Sequence, residues 1–214
     1  MYREGRGERV NNISFASITF KGICRSFYEV ISQFDREMIG LLEDYEAFCN
    51  ETGLIVNADT KMRVVLAGTT LDQNLKYYIY YAPSERSYQN HKYLGLYKEK
   101  AVRAIGELSC SADIEYNLEE DKLEVTNTQL GELSDSQKED IKKIIHEAKE
   151  KFGYSLSKGH RFFCVDKFYE TKYMKQTKGG LMGQKYFDLL DIDEDVKNKS
   201  TDQIASLLSG KDWN

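Results

Sequence analysis

The sequence predicts an α+β fold, in which flanking helices surround a curved, mostly antiparallel sheet or a small β-barrel. Three observations support this prediction. Two long segments carry apolar residues at helical spacing, and many short segments are rich in β-branched and aromatic residues. A third observation is that regular alternation of strands and helices is missing, which argues against a doubly wound parallel sheet. We expect an N-terminal extension over residues 1–60, packed on a β-rich domain over residues 61–214.

The first helical pattern predicts one long amphipathic helix over residues 26–50. Apolar residues recur there at intervals of three and four, which is typical of a helix with one buried face. We expect this face to pack against the main domain of the same chain through the stripe Phe27, Phe34, Leu41 and Phe48. The alternative is that the stripe binds a partner, which would make the protein a structural subunit of a larger assembly.

A second helix is predicted over residues 134–152, because Ser134 and Gln137 have the spacing of a capping box and Gly153 suits a helix end. A short helix is expected after Ser200. The strands are predicted from alternating or aromatic apolar runs, with a tight turn at residues 98–100. The predicted strands cover residues 62–68, 75–82, 92–97, 101–117 and 161–170, with a further hairpin after residue 117 and a final run at residues 186–192.

The overall charge and composition limit the classes of function. The formal net charge is -5, so any binding to nucleic acid has to come from a local basic patch. The four cysteines are far apart and form no CxxC pair, which is typical of reduced thiols and argues against a zinc site. No apolar run reaches membrane-spanning length, and the N-terminal residues lack a signal-peptide core. We expect a cytoplasmic protein with no membrane contact, no metal and no cofactor.

A loop rich in lysine and glycine is the most informative segment. Residues 171–185 read TKYMKQTKGGLMGQK, and no acidic residue lies between Glu170 and Asp188. Glycines let the backbone approach a ligand closely, and lysines suit phosphate. The spacing is not that of a Walker A motif. We predict phosphate contacts from Lys175, Lys178, Gly179 and Gly180, the alternative being a solvated hairpin tip.

An aromatic segment provides the second candidate feature. Residues 80–97 carry five tyrosines around Arg86, and aromatic rings beside basic side chains can stack on a base and pair with its phosphate. The alternative is that these tyrosines pack the sheet with their hydroxyls at the rim. The predicted phosphate contacts are Arg86, Arg103 and Arg161, and the predicted stacking residues are Tyr88, Tyr97 and Phe162.

The succession YYIYYAPSER, then KYLGLYKEKAVRAIGEL, resembles the PUA-like superfamily, in particular EVE and ASCH domains. The resemblance extends over residues 62–190 and includes neither the long helix nor the lysine–glycine loop. It implies a small β-barrel that binds RNA or a modified DNA base in an aromatic cleft. Such domains occur in RNA modification and in restriction or anti-phage systems.

These features favour a non-enzymatic module that binds nucleic acid or a nucleotide, and a protein partner stays open. One enzymatic alternative remains, a Mg²⁺-dependent nuclease of the PD-(D/E)xK type. Acidic residues gather Mg²⁺ and a lysine can support the attacking water. The residues for that chemistry are Asp113, Glu115, Glu120 and Lys122, although their spacing is shorter than that family's.

Overall fold

The computed structural model describes residues 9–10, 13–14, 20–32, 35–51 and 58–214. The chain divides into two compact units, Met1–Asn57 and Ala58–Asn214. The described part of the first unit contains a short antiparallel pair and two helices. These elements are β1 (Arg9–Val10), β2 (Ile13–Ser14), α1 (Phe20–Val30) and α2 (Arg36–Glu51).

The prediction of one long helix over residues 26–50 is wrong, because α1 ends before α2 begins. Asp35 starts the second helix. Its carbonyl oxygen accepts from the Ile39 N–H at 3.0 Å, and its carboxylate accepts from the Met38 N–H at 3.1 Å. An aspartate in this position satisfies backbone donors that a continuous helix would bond to earlier carbonyls. The apolar periodicity is similar on both sides of the break and does not reveal it.

Within this unit the buried side is not the predicted stripe, and packing of that stripe on the main domain stays a prediction. Cys24, Leu42 and Cys49 are buried together. Leu41 exposes 59% of its surface, and Phe27 and Phe48 are exposed as well, whereas Phe34 lies outside the described residues. The break resets the helical phase, so a stripe drawn along one continuous helix does not describe the buried side.

The second unit contains eight strands and three α-helices among its described residues. The strands are β3 (Lys61–Leu66), β4 (Ile79–Pro83), β5 (Tyr93–Lys98), β6 (Ala101–Asn117), β7 (Lys122–Leu130), β8 (His160–Lys175), β9 (Gln184–Asp188) and β10 (Asp212–Trp213). The helices are α3 (Leu71–Tyr77), α4 (Asp135–Phe152) and α5 (Thr201–Leu208).

The strands form one mixed, mostly antiparallel sheet, which confirms the predicted α+β class. Its order is β10-β8-β6-β5-β3-β9, with β4 also paired to β8 and β7 to β6. Only β3 with β5 and β10 with β8 are parallel among these ladders. Across the strands of residues 58–214 no ladder joins β9 to β10 or to β4, so the sheet is open. The small β-barrel, which was the alternative prediction and which the PUA-like resemblance implies, is therefore wrong for these residues.

The first three residues of the region predicted as a strand at residues 75–82 belong to α3. Tyr78 follows the helix, and its φ of 56° reverses the chain before β4. The buried Asn74 amide donates to the Ile79 carbonyl at 2.8 Å and fixes this reversal. The tyrosines that follow favour a strand, and that local preference hid the helix.

Local signals placed α4 correctly, whereas β8 extends to Lys175, five residues into the predicted loop. The Gln137 N–H donates to the Ser134 hydroxyl at 3.2 Å, the Ser134 N–H donates to the Gln137 side chain at 2.9 Å, and Gly153 ends α4 with a φ of 72°. The strand β8 separates two cores, because Phe162 packs toward α4 and Phe163 packs on the opposite face. No helix in the described ranges is long and apolar enough to cross a membrane.

Candidate functional site

Arg63 is a charged side chain in the interior of the sheet domain. Met62 and Val64 face one core, so strand alternation turns Arg63 toward the other, where it exposes only 1% of its surface. Its guanidinium carbon lies 4.8 Å from the Tyr88 ring centroid and 5.0 Å from that of Phe163. Its Nε donates to the Gln184 side-chain oxygen at 2.7 Å.

The charge of Arg63 has no carboxylate partner among the described residues. Its buried Nη1 has no hydrogen-bond partner in the part of the chain that the structure describes. Burial lowers the pKa of Arg63, and the nearby Tyr186, Tyr80 and Tyr88 only oppose that shift. An arginine stays protonated even so, and a buried cation without a counter-charge costs several kcal/mol. A group that offers Nη1 an acceptor would recover part of that cost.

His91 presents the complementary group beside Arg63. Its Nδ1 lies 2.8 Å from the Gln89 carbonyl oxygen, which can only accept, so Nδ1 carries the proton. Burial lowers the pKa of His91 to about 4, so the ring is neutral near pH 7. Its Nε2 is then an acceptor, and this buried atom has no partner within the described ranges.

Three rings, those of Tyr88, Phe163 and Tyr186, lie around these two groups. The Tyr88 centroid lies 5.5 Å from that of His91 and 5.2 Å from that of Phe163, and the His91 centroid lies 6.3 Å from those of Phe163 and Tyr186. We call the set Arg63, Tyr88, His91, Phe163 and Tyr186 the aromatic cleft. Tyr88 and Phe163 contact both Arg63 and His91, so the unpaired donor and the unpaired acceptor belong to one cluster.

A cavity of about 450 Å³ adjoins the aromatic cleft. Tyr88, His91 and Phe163 line it, whereas Arg63 and Tyr186 do not reach its wall. The remaining lining includes polar side chains such as Asn90, Ser111 and Gln129. A volume of this size suits one small molecule or one base, and an apolar wall with a few polar groups is typical of ligand sites.

The segment of residues 84–92 positions Tyr88 and His91. It begins where Ser84 N–H donates to the Gly159 carbonyl at 2.9 Å, and it ends where Lys92 N–H donates to the Lys61 carbonyl at 3.1 Å. Between these points the Gln89 N–H donates to the Tyr186 hydroxyl at 2.9 Å. The segment therefore crosses from the β4 and β8 side to the β3 and β9 side, over Arg63.

Two of the predicted site residues lie at the cleft. Tyr88 forms part of it, as described above. Arg161 lies 5.2 Å from the Tyr88 ring centroid, but its Nε and Nη2 donate to the Asp113 carboxylate at 2.5 and 2.9 Å. This hydrogen bonding raises the pKa of Arg161 and compensates its charge. We infer that the main role of Arg161 is to support the Tyr88 ring, and not to bind phosphate.

Three predicted contacts have structural roles elsewhere. Phe162 is fully buried in the core against α4. Tyr97 is buried beside Trp213, with 6.2 Å between ring centroids. Arg103 donates to the carbonyls of Lys98 and Glu99 at 2.9 and 3.1 Å, which holds the tight β5–β6 turn. Neither ring is accessible for stacking on a base, and the Arg103 guanidinium is committed to the turn.

Arg86 lines a different cavity, of about 710 Å³, together with Tyr80, Tyr154 and His160. The structure therefore does not bring Arg86 into the cavity beside His91. Its positive charge is nevertheless close enough to lower the pKa of Arg63. Arg86 thus adds to the positive potential around the buried arginine.

One lysine side chain, that of Lys175, holds part of the lysine–glycine loop in place. The Lys175 ammonium donates to the Gly179 carbonyl at 2.8 Å and also to the Thr177 hydroxyl. Lys178 is exposed. Gly179 and Gly180 have ordinary φ values, and a Cβ added at either would meet nothing within 4 Å. Turn geometry and packing therefore do not require glycine at these two positions.

The loop leads directly into the aromatic cleft. Of residues 171–185, the first five belong to β8 and the last two to β9, so the connection itself is residues 176–183. Its last residue, Gly183, has a φ of 76°. The next residue, Gln184, accepts from Arg63 and donates to the Ser87 carbonyl at 3.1 Å. At the other end, Lys175 lies beside Trp213, with its ammonium 5.6 Å from the ring centroid. Residues 176–183 are thus followed directly by the β9 residue that contacts Arg63.

The residues of the nuclease alternative are not assembled as a metal site. Asp113 is bound to Arg161, whereas Glu115, Glu120 and Lys122 border an exposed cavity of about 470 Å³. Within the described ranges, no three His, Cys, Asp or Glu side chains are arranged to hold a metal ion. This geometry lends the nuclease alternative no support.

Sequence reasoning missed Arg63, His91, Gln184 and Tyr186 as site residues. One signal was available, because Arg63 stands inside the otherwise apolar run MRVVLAG. A charge within a buried strand needs a reason, since lone buried charges are costly. His91 shows no comparable signal, because only the fold places it beside Arg63.

The buried His91 should make the protein less stable in mild acid. Unfolded histidine has a pKa of 6.5, whereas the folded value is about 4. As pH falls from 6.5 to 4, the unfolded state gains a proton that the folded state does not, so stability falls by up to about 3 kcal/mol. Urea unfolding across this range should show the loss in the parent protein, and His91→Gln should remove that component.

His160→Gln is the matched control for this measurement. The Nδ1 of His160 also lies 2.8 Å from a carbonyl oxygen two residues earlier, but its ring is partly exposed. Because this variant keeps His91, we expect it to retain the loss of stability that His91 causes between pH 6.5 and 4. Equal curves for the parent and His91→Gln would show that His91 is not held neutral by burial.

Comparison with protein-family models, with curated proteins and with solved structures finds no match for this chain. The candidate site is therefore defined by its geometry alone. That geometry is a buried donor and a buried acceptor, both without partners, in a ring-lined cleft beside a cavity of ligand size.

Proposed function

We propose that this protein is a module that binds nucleic acid or a nucleotide. In this proposal the aromatic cleft takes a base, and the lysine–glycine loop takes the phosphate backbone. The observation that carries it is that Arg63 Nη1 and His91 Nε2, both without a partner among the described residues, belong to side chains that contact the same two rings, Tyr88 and Phe163. His91 and both rings line a cavity of about 450 Å³. Bases offer planar apolar faces and hydrogen-bonding edges, which suit aromatic rings with a few buried polar groups.

The loop supports the phosphate part of the proposal. It concentrates exposed positive charge in a protein whose net charge is -5. The ammonium groups of Lys175 and Lys185 both lie over Trp213, at 5.6 and 4.6 Å from the ring centroid, so the basic groups gather at one end of the sheet. Two glycines that neither backbone conformation nor packing explains suit close approach of a ligand to the backbone.

The resemblance of residues 62–190 to PUA-like domains agrees with this proposal, and the relationship is itself part of it. We extend the proposal to single-stranded RNA or to a modified DNA base, because the cavity has room for one base and not for a duplex. In such a role the protein would recognise its target without a reaction of its own.

Charge removal in the loop should test the phosphate contacts. Lys178→Ala is preferred, because Lys175 also holds the loop through Gly179. With a single-stranded oligonucleotide, each lost phosphate contact should flatten the dependence of log K on log salt by about 0.7. We expect that change from Lys178→Ala by fluorescence anisotropy, and no change from Lys149→Ala, an exposed lysine on α4. Equal slopes for all three proteins would reject the loop as a phosphate site.

Gly180→Ala separates ligand approach from loop structure. The added methyl group meets nothing within 4 Å and the φ is ordinary, so thermal stability should be unchanged. Weaker oligonucleotide binding at unchanged stability would then indicate that the backbone at Gly180 approaches the ligand. Binding equal to the parent's would indicate that the loop contributes charge alone.

A further inference from the structure

We infer that the aromatic cleft reads the hydrogen-bonding edge of one nucleobase, with an acceptor on the base against Arg63 Nη1 and an N–H donor against His91 Nε2. This inference rests on the proposed function and specifies the ligand's chemistry. It follows from two buried atoms that have opposite hydrogen-bonding roles and no partner in the described part of the chain.

The roles of the two atoms are fixed by their surroundings. Arg63 can only donate, because a guanidinium has no acceptor. His91 can only accept at Nε2, because its proton is held at Nδ1 by the Gln89 carbonyl at 2.8 Å. A ligand that satisfies both atoms therefore has to present one acceptor and one donor.

A simple anion fits this pair less well than a base does. An ionised phosphate or carboxylate would satisfy Arg63, but it would place an oxygen lone pair against the lone pair on His91. A metal cation would bind the His91 lone pair, but it would face the positive charge of Arg63. The edge of a nucleobase carries a ring nitrogen or carbonyl acceptor beside an N–H donor, which matches both atoms.

The rings favour a flat ligand in the same place. The ring centroids of Tyr88 and Phe163 lie 4.8 and 5.0 Å from the Arg63 guanidinium carbon, and both rings also line the cavity. Aromatic side chains stack on any base, so they supply affinity without choosing among bases. Selectivity among bases then depends on the hydrogen-bonding edge of the base. Methyl groups that replace every N–H of the donor nitrogen should weaken binding, because that nitrogen can no longer donate to His91 Nε2.

The test uses competition against a labelled single-stranded oligonucleotide. Uridine, cytidine, adenosine and guanosine are first compared as competitors. The best of them is then compared with its derivative in which methyl groups replace every N–H on the same edge. We expect the methylated derivative to compete at least about 10-fold more weakly, in line with the loss of a hydrogen bond to a buried group.

His91→Phe keeps a ring and removes the acceptor, so it should abolish the difference between the two competitors. If the methylated and unmethylated nucleosides compete equally with the parent protein, the edge is not read and the inference is overturned, while the proposed function stands. If no oligonucleotide binds at all, the proposed function fails and the inference fails with it. The comparison of competitors needs only the parent protein, so it holds even if the variant does not fold.

Discussion

Replacement of Arg63 by methionine is expected to weaken oligonucleotide binding by about 10- to 100-fold, since a hydrogen bond from a charged donor contributes about 1.5–3 kcal/mol. Folding should not suffer to the same extent. Arg63 is buried without a carboxylate partner among the described residues, so its removal also removes a desolvation cost. We expect the free energy of unfolding to stay within about 1 kcal/mol of the parent's, or to rise.

Arg161→Met is the matched comparison. Both arginines lie over the Tyr88 ring, at 4.8 and 5.2 Å from its centroid, but Arg161 is paired with Asp113. Its removal leaves that carboxylate without its partner, and we expect a stability loss of about 1–3 kcal/mol. Urea unfolding and anisotropy titration measure the two quantities. A large stability loss in Arg63→Met with unchanged binding would make Arg63 a structural residue and not a ligand anchor.

Phe163→Ala should have the largest effect on stability, about 3–5 kcal/mol, because it removes a fully buried ring. The same ring contacts Arg63, Tyr88 and His91, so the substitution should also weaken oligonucleotide binding. Binding has to be compared at a temperature where the variant is still folded, as shown by circular dichroism.

Phe162→Ala provides the control for that comparison. Phe162 is the adjacent residue on β8 and is equally buried, but it packs on the opposite face, toward α4. We expect a similar loss of stability and no loss of affinity in the folded fraction. Equal losses of affinity in both variants would mean that binding responds to general destabilisation, and the assignment of the cleft to one face of β8 would be wrong.

Signals that lie close together along the chain predicted local structure correctly. Ser134, Gln137 and Gly153 bounded α4, and the two residues of the β5–β6 turn have the positive φ values, 50° and 59°, that a tight hairpin uses. The break before α2 was missed because Asp35 caps a helix within an unbroken apolar periodicity. The same limit concealed α3, whose end depends on the buried Asn74 amide.

The site was less predictable, because it is assembled from four separate segments. Arg63 comes from β3, Phe163 from β8 and Gln184 from β9. Tyr88 and His91 come from the segment of residues 84–92. Antiparallel pairing of β9 with β3 brings Gln184 to Arg63 across 121 positions of sequence. Tyr88 and Arg161 were predicted as site residues because an aromatic ring suits a base and a basic side chain suits phosphate. Tyr97 and Phe162 have the same character in the sequence, but strand alternation turns them into the core.

The central claim is that Arg63 and His91 are a donor and an acceptor held for a ligand. Nitrogen-15 spectra of these two side chains, recorded while the best-competing nucleoside is added, test it most directly. We expect the Arg63 Nη and His91 Nε2 signals to shift together and to saturate at one Kd, while the partly exposed His160 stays unchanged. Saturable nucleoside binding that leaves both the Arg63 and the His91 signals in place would contradict the claim.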